Sequence, residues 1–142
     1  MKAGITMKVI LFIIASVSLS LASDVLIDNK TGLMWQDNSA AKHIKKDWQE
    51  AVSFCRKLHL AGHDDWRLPT IKELINVVSL SQNDPAVKNG FKNVGGSGYY
   101  WSATAHESSE EFAWIMNFKR GYKYNNYKTY ERYVRCVRDN ER

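Results

Sequence analysis

The chain changes hydrophobic period several times, and each change marks an element. Asp24-Val25-Leu26-Ile27-Asp28 and Leu33-Met34-Trp35-Gln36 are short apolar runs around the turn residues Asn29-Lys30-Thr31-Gly32, which predicts a hairpin. From Asp47 the period lengthens: Trp48, Ala51, Val52, Cys55 and Leu58 fall on one helical face. Asp47 with Glu50 three residues on has the form of a capping box with an acidic cap. A second helix is predicted after Leu68-Pro69, opened by Thr70 and Glu73 as a capping box, with Ile71, Leu74, Ile75 and Val78 as its inward stripe. Asn83 to Gly98 is polar and glycine-rich and reads as loop. The remainder predicts short strands: 99–104, 112–118, a hairpin around Arg120-Gly121, and 133–138. No repeat, coiled coil or low-complexity linker interrupts it. The expected fold class is α+β, two helices packed on short antiparallel strands.

The first 22 residues carry a different signal. Lys2 and Lys8 precede the apolar stretch that begins Val9-Ile10-Leu11-Phe12-Ile13-Ile14, and Ser18-Leu19-Ser20-Leu21-Ala22 supplies small residues for cleavage. This is the form of an export signal, 1–22, cut after Ala22, with Met7 as an alternative start. Its uncharged run is shorter than the ~20 residues a bilayer needs. The expectation is one domain, 23–142, periplasmic or extracellular, with no membrane span once the signal is removed. Cys55 and Cys136 are the two cysteines. Behind an export signal they predict one long-range disulfide, with free buried thiols, or redox or metal chemistry, as the alternatives.

Removing Lys2 and Lys8 leaves 18 basic against 15 acidic side chains, a formal charge of +3. That is too mild to argue for nucleic acid. The charge is uneven, however: Lys119 to Arg138 holds seven basic residues and one acid, Glu131.

Four strings occur in order: Thr31-Gly32-Leu33-Met34-Trp35-Gln36; Asp64-Asp65-Trp66-Arg67-Leu68-Pro69-Thr70 with Glu73-Leu74; Tyr100-Trp101-Ser102-Ala103-Thr104; and Tyr133-Val134-Arg135-Cys136-Val137-Arg138. Together they resemble the Lcl C-terminal domain family, long catalogued as a domain of unknown function, over essentially the whole mature chain. The resemblance implies a C-type-lectin-like fold, shared with formylglycine-generating enzymes and many bacterial surface binding proteins. In such folds a disulfide joins the first helix to the last strand, which matches Cys55 and Cys136. The family's named member is an adhesin whose domain of this type is associated with sulfated glycosaminoglycan binding.

Candidate chemistry narrows the function. Asp64 and Asp65 could ligate calcium, but a structural loop is expected instead, with a carboxylate on turn amides, Arg67 paired to an aspartate and Trp66 in the core. The calcium-dependent sugar motifs of lectins are absent, Gln82-Asn83-Asp84-Pro85 being a loose echo. The active-site cysteine pair of the formylglycine-generating relatives is incompatible with Cys55 and Cys136 as a bridge. His43, His59, His63 and His106 offer no His-x-x-x-His pair on a helix, Ser102 lacks a nucleophile elbow, and Glu110-Glu111 reads as a charged turn. No catalytic residue, metal or cofactor is expected. The informative segment is Phe118 to Tyr133, where five tyrosines within twelve residues alternate with cations and asparagines. As a strand it places Tyr122 and Tyr124 on one face and Lys123 on the other. Tyrosine rings stack on sugars, and lysine and arginine pair with sulfate or carboxylate. The candidate ligand residues are Lys119, Arg120, Tyr122, Lys123, Tyr124, Tyr127, Lys128 and Arg132. An ordinary half-buried strand pair is the competing reading. The expected function is a non-enzymatic binding module for an anionic polysaccharide or an envelope protein. The alternative is a structural or assembly component of a surface or secretion complex.

Overall fold

The computed structural model describes residues 23–78 and 90–140, with Gly4 besides. The expected export signal, Gly4 apart, and residues 83–89 of the predicted loop lie outside the described residues. The first hairpin forms as its pattern predicts: β1 (Val25–Asp28) and β2 (Leu33–Gln36) run antiparallel, Val25 opposite Gln36 and Asp28 opposite Leu33. Gly32 closes the turn at φ 70°, a conformation that disfavours side chains. Two unpredicted elements follow, α1 (Ser39–His43) and β3 (Lys45–Lys46). At five and two residues they are too short to show a period.

The next helix, α2 (Trp48–Lys57), starts where its cap places it, the Asp47 carboxylate accepting from the Glu50 N–H at 2.9 Å. Ala51 and Cys55 are fully buried, with Trp48, Val52 and Leu58 packed around them. At α3 (Ile71–Val77) both halves of the capping box are present: Glu73 N–H to Thr70 Oγ1 at 3.2 Å and Thr70 N–H to Glu73 Oε1 at 2.8 Å. Its stripe differs from the expected one. Val77 joins Ile71 and Leu74 inside, while Ile75 is 43% exposed. In so short a helix, i, i+3 and i+6 span the buried face, and i+4 falls outside it. Thr70→Ala is expected to cost about 0.5–2 kcal/mol by removing the acceptor for the Glu73 N–H. The loss should show as a lower denaturant midpoint at unchanged slope; an unmoved midpoint would mean that the cap contributes nothing.

The remaining strands are β4 (Tyr99–His106), β5 (Ser109–Asn117), β6 (Tyr122–Tyr127), β7 (Arg132–Tyr133) and β8 (Val137–Asp139). They complete two sheets, one ordered β1-β2-β8 and one β3-β7-β4-β5-β6. The predicted single strand over 133–138 is two. β7 joins the larger sheet, Tyr133 lying parallel to Tyr100, while β8 runs antiparallel to β2. Val134, Arg135 and Cys136 carry the chain from one sheet to the other. All six residues from Tyr133 to Arg138 are buried, so no polar alternation marks the switch. The fold is thus α+β, mostly sheet with few helices. Among the described residues it has three helices instead of two, and one strand contact is parallel.

Alternation along β4 and β5 divides the core. Trp101, Ala113 and Ile115 face α2, with Cys55, Trp66 and Leu68. Tyr100, Met116 and Phe118 face α3, with Trp35, Leu74 and Val77. The Cys55–Cys136 disulfide ties α2 to the segment that switches sheets, with Cα atoms 5.5 Å apart. No described helix is long and apolar enough to cross a membrane.

Candidate functional surface

The Asp64–Thr70 string is framework, with partners other than those expected. Arg67 pairs with neither aspartate. Its guanidinium grips Glu73 through two bonds, at 2.7 and 2.9 Å, and reaches Asp139 at 3.2 Å. Asp65 is taken by Arg138, at 2.6 and 3.1 Å. The reason is direction: residue 67 bridges Val137 and turns toward α3, which leaves Asp65 facing the last strand. Burial raises the Glu73 carboxyl, but the bonds from Arg67 and the Thr70 N–H outweigh it and hold the group below its usual range. The Arg138 bond likewise lowers Asp65. Trp66 fills core as expected. His59 and His63, four residues apart, flank a turn in which Ala61 and Gly62 have φ of 53° and 77°, so they share no helical face. Among the described residues no three His, Cys, Asp or Glu side chains gather as a metal site.

The exposed aromatic surface lies on β6, the end strand of the larger sheet, and on the turn that follows it. Of six exposed large apolar side chains among the described residues, four are Tyr122, Tyr124, Tyr127 and Tyr130. β6 and β5 pair in unbroken register from Phe112–Tyr127 to Asn117–Tyr122. Tyr124 is opposite Ile115 and so lies on the α2 side, as does Tyr122; Lys123, opposite Met116, lies on the α3 side. The eight candidate residues therefore do not form one patch.

On the α2 side, Tyr99, Asn117 and Tyr122 align across three strands, and the Tyr99 and Tyr122 hydroxyls are 3.0 Å apart. The Arg132 guanidinium lies 5.4 Å from the Tyr99 ring and 5.5 Å from the Tyr130 ring, within cation–π range. Arg132 Nε is buried without a partner. The Tyr122 bond, then Asn117, then the charges of Arg132 and Arg120 pull the Tyr99 hydroxyl below its usual value, and the same bond pushes Tyr122 up. The result is a polar aromatic surface with cations at its border. On the α3 side, Lys123 Nζ sits 4.7 Å over Trp114, and the Tyr127 and Phe112 rings pack at a 35° tilt with centroids 4.2 Å apart. Lys128 is anchored elsewhere: Nζ lies 4.4 Å over Trp48, its N–H donates to Glu111 O, and its carbonyl accepts from Trp48 N–H. The backbone N–H groups of Lys119 and Arg120 both donate to Asn117 Oδ1 at the turn.

Sequence reasoning missed Tyr99 as a member of this surface. Tyr99 shares its strand face with buried Trp101 and is half-buried against the same cluster, so the alternation reads it as core. Tyr130 stood in the informative segment, but no strand period places a turn residue.

An α+β domain of two sheets, with a disulfide at the point where the chain changes sheet and an aromatic edge strand, defines the class. The chain belongs to the Lcl C-terminal domain family, whose model matches residues 24–138. No curated protein matches the chain significantly.

Proposed function

We propose that this chain is an exported, non-enzymatic binding module of C-type-lectin-like architecture that recognises anionic polysaccharide on the α2 side of β6. The observation that carries the reading is the placing of Arg132 between the Tyr99 and Tyr130 rings, beside exposed Tyr122 and Tyr124. Rings offer stacking area to sugar faces, and a guanidinium offers a planar fork to sulfate or carboxylate. Family membership and a disulfide from α2 to the segment before the last strand support the lectin-like architecture. The leader-like first 22 residues and the same disulfide support export.

The test is binding of the mature domain to heparin, dextran sulfate and neutral dextran. Affinity for the sulfated polymers should fall steeply between about 0.1 M and about 1 M salt, as the screening length shortens from ~10 to ~3 Å. A calcium chelator should not matter. Arg120→Gln with Arg132→Gln should weaken binding at least about tenfold, the scale of a lost charge-assisted contact, and Tyr124→Ala should weaken it less. Equal binding of neutral dextran, or an unaffected double variant, would overturn the proposal. A second reading, an assembly component of a surface complex, is favoured by one observation: β6 ends its sheet with no described strand beyond it.

A further inference from the structure

We propose that the outer edge of β6 receives an extended acidic segment of a partner protein as an added β-strand; the inference rests on the assembly reading and gives it a partner chemistry. The geometry begins at Lys128, whose N–H points into the sheet at Glu111 O, 2.8 Å away. Antiparallel strands alternate inward and outward amides. Asn126, Tyr124 and Tyr122 therefore bond to β5, and the N–H and C=O groups of Lys123 and Asn125 point away from it. Nothing among the described residues pairs on that side.

Long sheet edges are ordinarily blunted by proline, bulges or charge. β6 has no proline, its register with β5 is unbroken over six residue pairs, and its single charge, Lys123, is drawn over Trp114. Exposed tyrosines flank the edge on both faces, Tyr122 and Tyr124 on one and Tyr127 on the other. The competing edges are shorter: β3 has two residues, β8 three and β1 four. Strand addition takes affinity from main-chain bonds and specificity from alternate side chains. Charge then selects the occupant. The β5–β6 turn and β6 itself hold Lys119, Arg120 and Lys123 and no acid, so a second copy of this chain paired at this edge would set cations against cations. An acidic strand complements them, and its alternate apolar residues would lie on the tyrosines.

The probe is a heptapeptide of alternating glutamate and valine, titrated against the mature domain by backbone amide NMR. The Lys123 and Asn125 amides should shift and gain exchange protection. A version N-methylated at alternate residues keeps the charge and loses the donors, and should bind at least about tenfold more weakly, as expected for several lost hydrogen bonds. Asn125→Pro removes an outward donor and no bond to β5, so it should weaken the peptide to the same degree and leave heparin binding in place. If the proline variant misfolds, the N-methylated peptide on wild-type protein decides alone. Equal binding of the two peptides, no binding at millimolar peptide, or self-association through this edge would overturn the proposal. None of these bears on polymer recognition at Tyr124 and Arg132.

Discussion

Replacing Cys55 and Cys136 together by alanine is expected to remove about 4.5 kcal/mol of stability. The disulfide closes a loop of 81 residues, and the chain-entropy relation gives that figure for such a loop. It is a large part of the ~5–15 kcal/mol typical of a whole domain. Position supports the size of the effect. Cys136 lies in the segment that crosses between the sheets, and Cys55 is on the buried face of α2, both fully buried. Without the link, β8 and β2 are held to the rest of the domain by packing, ion pairs and hydrogen bonds such as the backbone pair between Arg67 and Val137. Urea unfolding of wild type and of the double variant measures the difference. The slope should rise as well, because the uncrosslinked denatured chain exposes more surface. A loss under about 1 kcal/mol would mean that loop closure is not what the bridge contributes.

The elements legible in the sequence were those whose cause is local. The first hairpin, both caps and the buried face of α2 follow from turn residues, capping residues and a 3.6-residue period. What escaped depends on partners far away in the chain. Asp65 meets Arg138 across 73 residues, and no local rule chooses Arg138 over Arg67, two positions away. The sheet switch at Val134–Cys136 escaped because burial on every side erases the alternation that would have located it. On β6 the division of Tyr122 and Tyr124 from Lys123 was legible as period two. The meeting of Tyr99 with Tyr122 and Arg132 was not, because it needs β7, β4, β5 and β6 to lie side by side.

The strings that identify the family serve the framework. Trp35, Trp66, Trp101 and Val134 come from the four strings, and each is buried. The three arginines among them are also internally occupied: Arg67 by Glu73, Arg138 by Asp65, Arg135 by Asp37. β6 belongs to none of the strings. It pairs with one neighbouring strand and four of its six side chains are exposed, so substitutions at those four should cost the core little. Stability rests on the strings and the proposed recognition on other residues, so the variants proposed for each leave the other readable.

A second large effect is expected at Asp37, the residue that follows β2. Arg135 is fully buried. It donates to Asp37 Oδ1 at 3.1 Å, to Gln36 O at 2.6 Å and to Asn93 O, and its guanidinium lies 5.0 Å from the Phe91 ring and 5.3 Å from the Tyr100 ring. Asp37 also accepts from the N–H groups of Lys92 and Asn93, at 2.9 and 3.0 Å. One carboxylate thus neutralises a buried cation and fastens residues 92–93 to the end of β2. Asp37→Ala leaves that cation without its counter-charge and should cost about 3–5 kcal/mol. Asp37→Asn keeps one acceptor oxygen and should cost less. Pairing Asp37→Ala with Arg135→Met removes both charges, and the double variant should be more stable than Asp37→Ala alone, since a desolvated ion pair is often replaced by apolar packing at little net loss. Denaturant unfolding of wild type, the two single variants and the double closes the cycle. If the effects of Asp37→Ala and Arg135→Met simply add, the pair is not coupled, and the loss at Asp37 belongs to the Lys92 and Asn93 amides instead.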